Sequence, residues 1–103
     1  MFDLFLSLPV QTAQVQTIAQ AQAAIVYLPI ATRQSSRPSC VTYIATNSTS
    51  RAVTDVNVNR RNSQGEIYKY SLWTLLGDGV LKAGESVGFD MCDNSFVNVE
   101  ARQ

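Results

Sequence analysis

The sequence predicts an all-β protein: a single Ig-like or jelly-roll-type β-sandwich of about six to eight strands, preceded by an N-terminal arm. Three observations support this class. From position 40 onward, segments rich in β-branched and aromatic residues alternate between apolar and polar side chains. Turn formers separate these segments at intervals of about ten residues, as in sandwiches and small barrels. The 103 residues are 46% hydrophobic, which is enough for one domain with a modest core.

The first two predicted strands flank a loop. The segment AAIVYLPIAT (residues 23–32) is interpreted as a strand that contains Pro29. Because proline cannot donate a ladder hydrogen bond, this strand is expected at an edge or at a bulge. After the loop SSRPS, the segment CVTYIAT (residues 40–46) is rich in β-branched residues and ends at the turn formers NSTS.

The next two segments alternate with a period of two. RAVTDVNVNR (residues 51–60) places Val56 and Val58 on one face and its polar residues on the other, which is typical of a half-buried strand. The connection RNSQG follows. EIYKYSLW (residues 66–73) then alternates again. Its two faces carry Ile67, Lys69, Ser71 and Trp73 on one side and Tyr68, Tyr70 and Leu72 on the other.

The remaining segments complete the sandwich. Residues 75–86 contain three glycines around two short apolar steps, so we expect a loop with tight turns and no helix. SVGFDM (residues 86–91) and SFVNVEA (residues 95–101) form a last pair of alternating strands around the turn CDNS. The inward side chains are expected to be Val87, Phe89, Met91, Phe96 or Val97, Val99 and Ala101.

The N-terminal arm is assigned to residues 1–22 and the sandwich domain to residues 23–103. The stretch VQTAQVQTIAQAQAAIVYLPI lacks the basic start of a secretory signal, and its glutamines exclude a membrane span. Alanine and glutamine favour a helix, whereas the alternation of apolar residues with glutamine favours an extended strand. The pattern leans towards the extended form, and both conformations stay open for residues 10–22.

The arm is interpreted as either a part of the domain's own sheet or a contact with neighbouring subunits. It carries no charge from position 10 to position 22, so it lacks the devices that keep natural strand edges from pairing with another chain. The apolar start MFDLFLSLP is costly to leave in water, and Tyr68 and Tyr70 add aromatic surface of the kind enriched at interfaces. The predicted subunit-interface residues are Phe2, Leu4, Phe5, Leu6, Leu8, Val15, Ile18, Tyr68 and Tyr70.

Composition argues against several function classes. The chain has no histidine, which removes Ser/His and Cys/His nucleophile schemes and the commonest metal ligand. Eight basic residues balance eight acidic ones and are scattered, so neither a nucleic-acid partner nor a membrane partner is expected. We predict no enzymatic activity, no metal and no cofactor. Cys40 and Cys92 either form one disulfide or remain two buried thiols.

Two further patterns have plain structural interpretations. Asn47-Ser48-Thr49 fits the acceptor pattern for N-glycosylation, but a turn is the preferred interpretation. Four acidic residues are candidates for a carboxylate pair in acid–base chemistry, but each is expected on a solvent face or in a turn. These residues are Asp55, Glu66, Glu85 and Glu100.

Three segments of the C-terminal half resemble small β-sandwich structural proteins of tailed bacteriophages. They are the Asn-Ser-Thr-Ser turn with the alternating strand Ala52–Val58, the turn Leu81–Val87 (LKAGESV), and the closing strand Asn94–Ala101. The resemblance covers about residues 40–101, and the chain departs from it in its two cysteines and in Met91–Asn94. It implies a non-enzymatic structural role and carries over no catalytic residue.

The resemblance implies a virion cement or decoration protein. It would be assembled in the host cytoplasm and would contact further copies of itself, as a homo-oligomer, and other capsid proteins. The alternative is a secreted or periplasmic Ig-like binding module in which Cys40 and Cys92 are oxidised and tyrosines line a ligand surface.

Overall fold

The predicted β-sandwich is confirmed. A computed structural model describes residues 24–103 and packs their strands as two antiparallel sheets. In spatial order, the first sheet consists of β1 (Ile25–Tyr27), β8 (Phe96–Arg102), β4 (Val53–Arg61) and β5 (Ile67–Ser71), and β6 (Val80–Leu81) also pairs with β4. The second sheet consists of β2 (Ile30–Gln34), β3 (Val41–Thr46) and β7 (Ser86–Met91). Between β5 and β6 lies one helical turn, α1 (Trp73–Leu76).

The core lies between the two sheets and is built from the inward-facing side chains of β3, β4, β6, β7 and β8, with two leucines from the connecting segments. Tyr43 of β3 stacks on Phe96 of β8 with ring centroids 4.3 Å apart, which joins the two sheets. Phe89 of β7 lies against both rings. The buried apolar side chains of this core are Leu28, Ala45, Val53, Val56, Val58, Leu72, Leu81, Val87, Met91, Val99 and Ala101.

Leu28 and Pro29 divide the predicted strand 23–32 in two. β1 pairs with β8 in the first sheet, whereas β2 pairs with β3 in the second, so the single strand predicted here is wrong. Proline lacks the N–H that a continuous ladder needs, and the chain changes sheets where it occurs. β1 and β2 are both edge strands, as expected for a segment that contains proline.

β4 departs from strict alternation. The register with β8 shifts between Thr54 and Asn57, and Asp55 between them has a positive φ of 50°. A second shift follows Asn59. Such bulges twist the strand and re-aim its side chains. Asn59, placed on the polar face by the sequence pattern, is only 6% exposed because neighbouring side chains cover it.

The segment predicted as a loop over residues 75–86 contains more regular structure than expected. It overlaps α1, and β6 adds two residues to the first sheet. Trp73 begins α1 and does not extend β5, which ends at Ser71. The Trp73 ring lies directly over Gly79, and a Cβ atom on residue 79 would overlap the ring. Residue 79 also has a φ of 77°, a conformation that favours glycine, so both the contact and the backbone require glycine at this position.

A disulfide joins Cys40 and Cys92, which resolves the two possibilities left open by the sequence. Cys40 precedes β3 and Cys92 follows β7, and Val41 is paired with Met91 in the ladder of these two strands. The bond therefore closes the end of the β3–β7 pair.

The predicted N-terminal arm, residues 1–22, lies outside the residues that the structure describes. The interface residues predicted on the arm lie outside them too, so the structure does not decide between helix and strand for residues 10–22.

Asn47 organises the turns at one end of the sandwich. Its side chain is fully buried; Nδ2 donates to the carbonyl oxygens of Arg51 (2.8 Å) and Leu81 (3.0 Å), and Oδ1 accepts from the backbone N–H of Thr49 (3.0 Å). Its backbone bonds Glu85 and Gly84 of the LKAGES turn. The turn interpretation of Asn47-Ser48-Thr49 is confirmed, because a buried amide with these partners is not accessible to a glycan.

Candidate assembly surface

β5 forms an edge of the first sheet and is exposed on both faces. Within residues 24–103, β4 is the only strand that pairs with it, so half of its backbone N–H and C=O groups point away from the sheet. We call the exposed large side chains of β5 and the start of α1 the β5 edge surface. They are Ile67 (48% exposed), Tyr68 (37%), Tyr70 (52%) and Trp73 (57%).

Arg60 holds the two tyrosines of this surface in place. In the β4–β5 register Tyr68 lies opposite Arg60 and Tyr70 opposite Val58, so both rings stand on the inner face of the sheet. The Arg60 guanidinium carbon lies 4.9 Å from the Tyr70 ring centroid and 5.6 Å from that of Tyr68, within cation–π range. The two rings contact each other edge to face at 5.8 Å.

The turn between β7 and β8 fixes the Arg60 guanidinium in turn. Nε donates to the hydroxyl of Ser95 at 2.8 Å, and Nη2 forms an ion pair with Asp93 at 2.9 Å. The pKa of Asp93 is lowered, chiefly by hydrogen bonds from the Ser95 hydroxyl and backbone N–H, with a smaller contribution from Arg60. The aromatic side chains are thereby linked through Arg60 to the β7–β8 turn, and side chains that are already held in place lose less freedom on binding.

A groove of about 240 Å³ runs beside the edge surface, between β5 of one sheet and β7 of the other. Its walls combine apolar side chains with polar and charged ones: Val58, Tyr70, Leu72, Phe89 and Met91 together with Arg60, Ser71 and Asp90. Because β5 and β7 are both edge strands, this side of the sandwich is open. An added strand here would gain backbone hydrogen bonds from β5 and apolar contacts in the groove.

Lys69, the only charged residue of β5, is engaged on the outer face of the sheet. Its Nζ donates to Glu100 Oε2 at 2.8 Å, and Asn59 Nδ2 donates to the other carboxylate oxygen at 2.9 Å. Glu100 is 6% exposed, so its predicted position on a solvent face is wrong. Charged side chains commonly protect strand edges from pairing, but this lysine is drawn across β4 towards β8.

The Asn59–Glu100–Lys69 cluster predicts an acid-sensitive contribution to stability. Hydrogen bonds from Asn59 and then Lys69 lower the pKa of Glu100. A pKa below the unfolded-state value of about 4.3 stabilises the fold above that pH, and the contribution is lost as pH falls through the folded pKa. Glu100→Gln should cost about 1 kcal/mol at pH 7 and flatten the loss of stability towards pH 3.

Chemical denaturation of wild type and variant between pH 7 and pH 3 measures this effect. Glu66→Gln is the matched control, because Glu66 is an exposed turn residue. The loss should be reduced but not abolished in Glu100→Gln, since Asp90 and Asp93 also have lowered pKa values. Equal acid dependence in wild type and Glu100→Gln would contradict the assignment.

Another concavity, of about 680 Å³, lies on the outer side of the second sheet and is polar. Asp90 in its floor accepts a hydrogen bond from the Thr42 hydroxyl. The pKa of Asp90 is lowered, first by Thr42 and Ser35 and then by Arg37 and Arg33. Asp90 offsets only one of the two positive charges of this cleft. The cleft lacks the exposed tyrosine and tryptophan side chains of the β5 edge surface, which makes it a weaker candidate for a protein contact.

The structure brings together Tyr68 and Tyr70, two of the predicted interface residues. Arg60 and the β7 side of the groove were missed by sequence reasoning. Arg60 lies two residues after Val58, so strand alternation places both side chains on the inner face of the sheet. This was the sequence signal that could have identified Arg60. No sequence signal predicts that Phe89 lies across the groove, because this contact depends on how the two sheets are packed.

In the part of the chain that the structure describes, the fold and its surface define a β-sandwich whose β5 edge is open and carries aromatic side chains. Within residues 24–103 no group of three or more acidic or cysteine side chains is arranged to hold a metal ion. No helix in this part of the chain has the length and apolar content needed to cross a membrane. No protein-family model, curated protein or solved structure matches the sequence or fold.

Proposed function

We propose that this protein is a non-enzymatic structural protein of a virus particle, a cement or decoration protein that packs on neighbouring subunits and stabilises the capsid or assembly. The β5 edge surface carries this proposal. It combines unpaired backbone groups with four exposed large side chains and a rigidly held Arg60. Tyrosine, tryptophan and arginine are the residues that most often dominate binding energy at protein interfaces.

The segments that resemble phage structural proteins support the same proposal. The Asn-Ser-Thr-Ser turn and the LKAGES turn contact each other through Asn47, whose backbone pairs with Gly84 and Glu85. Glu85 closes its own turn by accepting a hydrogen bond from the Lys82 N–H at 2.7 Å. The resembling residues thus form one interlocked structural unit. Neighbouring copies and other capsid proteins are the proposed partners, because repeated contacts in a symmetric assembly bury large areas.

Deleting Met1–Ala21 tests the role of the arm. We expect the truncated chain to keep a β-sheet circular dichroism spectrum and a cooperative thermal transition, because the core that the structure describes consists of residues after position 24. Its incorporation into particles should fall at least about tenfold, which corresponds to a loss of 1.4 kcal/mol or more in binding. Sedimented particles from the native host, probed for full-length and truncated chains, give the measurement. Normal incorporation of the folded truncated chain would reject an assembly role for the arm.

A second candidate function is a secreted or periplasmic Ig-like binding module with its tyrosines on a ligand surface. The Cys40–Cys92 disulfide favours it, because such bonds persist in oxidising compartments. Counting free thiols in denatured protein from the native source separates the two candidates. Two free thiols would oppose the secreted module, whereas a quantitative disulfide together with absence from particles would oppose the virion protein.

A further inference from the structure

We infer that the β5 edge accepts residues 2–8 of a second copy of this chain as an added strand. This inference rests on the proposed assembly role and names the partner at its surface. β5 spans five residues, and the seven residues of FDLFLSL are sufficient to pair along its length. Pro9 follows them and cannot donate to a ladder, which sets the end of the added strand.

The sequence of this segment matches the two faces that it would meet. Its even positions are all apolar (Phe2, Leu4, Leu6 and Leu8), as required of a strand with one buried face. With that face turned inward, these side chains enter the groove between β5 and β7, which is lined by Leu72, Phe89 and Met91. Its odd positions, Asp3, Phe5 and Ser7, then lie on the outer face, where β5 carries the exposed Ile67.

The segment joins the domain on the side opposite the β5 edge, which allows it to extend to a neighbouring copy. Ala24 is held to Gln103 beside β1, and β1 is the edge of the first sheet opposite β5. The two edges are three strand spacings apart, about 14 Å across the sheet. Residues 9–23 can span up to about 50 Å when extended, enough to reach another molecule. One copy's β1 side thus leads to the next copy's β5 side, a head-to-tail contact that builds rings or chains.

Charge placed on the β5 edge should block this contact in the full-length protein. Ile67→Lys is the test variant, and Ile25→Lys on the β1 edge is its matched control, since the two isoleucines are 48% and 47% exposed. We expect the wild type and Ile25→Lys to self-associate and Ile67→Lys to associate at least about tenfold more weakly. Light scattering after size exclusion gives the masses, and thermal melting checks folding. Ile67→Asp repeats the test with a negative charge. Because residue 67 is paired with Arg61 in the β4–β5 register, this variant avoids placing a second positive charge opposite Arg61.

A mixing experiment identifies the inserted segment. The double variant Leu4→Asp/Leu6→Asp retains the β5 edge but has a polar arm, so it should be monomeric alone. In a mixture with Ile67→Lys, the intact arm of Ile67→Lys can pair with the intact β5 edge of the double variant. Only this one contact is possible, so a complex of two chains should form. A monomeric wild type, unchanged association of folded Ile67→Lys, or a mixture that stays monomeric would each overturn the inference.

The outcome also distinguishes this inference from the proposed function. If Ile67→Lys is incorporated into particles as well as the wild type, the β5 contact is rejected while the virion role stands. If the wild-type chain itself is absent from particles, the virion role is rejected, whatever the mixing experiment shows.

Discussion

Replacing Cys40 and Cys92 together with alanine should lower the free energy of unfolding by about 4 kcal/mol. The disulfide joins residues 52 positions apart, so its loss frees a long loop in the unfolded chain and increases the entropy of that state. Guanidinium denaturation of wild type and double variant at pH 7 measures the difference. This is the largest effect among the substitutions proposed for the described domain.

The single variants serve as controls. Cys92→Ala should destabilise nearly as much as the double variant, because the bond is absent in both, and treatment of the wild type with a reductant should have a similar effect. Cys40 is 9% exposed, so Cys40→Ala adds a small packing loss of its own. A loss below about 1 kcal/mol in the double variant would show that the bond contributes little to stability.

Replacing Asn47 with alanine is expected to cost about 3 kcal/mol, because the change leaves buried backbone groups without partners. The carbonyl oxygens of Arg51 and Leu81 lose their donor, and the Thr49 N–H loses its acceptor. The measurement is again the free energy of unfolding from denaturant titration. Asn47→Asp keeps the shape of the side chain but removes both donors, so it should also be strongly destabilising.

Ser48→Ala is the matched control for Asn47, since it alters the neighbouring, exposed residue of the same turn. Its effect should stay within about 0.5 kcal/mol. If Asn47→Ala were as mild as this control, the side chain would not be the organising group of the turns. The same result would also weaken the structural link between the NSTS turn and the LKAGES turn.

The period of two identified most strands because it reports which residues share a face. It predicted the inward set of β7 and β8, including Val87, Met91 and Val99, all of which are buried. It failed at Asn59 and Glu100, which are buried on the outer face of the sheet. Alternation distinguishes the two faces of a strand, but the side chains that cover the outer face come from other strands.

Residue type likewise predicted half of the candidate surface. Tyr68 and Tyr70 stood out because they share one parity, and the structure places both rings at the open edge. Whether that edge is open depends on strand order, and no local pattern reveals strand order. The cation–π contact of Arg60 and the groove shared with Phe89 depend on the packing of two sheets.

By itself, the sequence determined the all-β class, the approximate positions of the strands and the effect of Pro29, because these depend on the period of side chains and on backbone chemistry within a few residues. Only the tertiary structure decided that Cys40 and Cys92 are bonded, since strands β3 and β7 must pair before residues 52 positions apart can meet. It also decided that β5 ends the sheet with aromatic side chains on its free edge. Contacts between distant segments produce these features, and a local pattern cannot specify which segments will be neighbours.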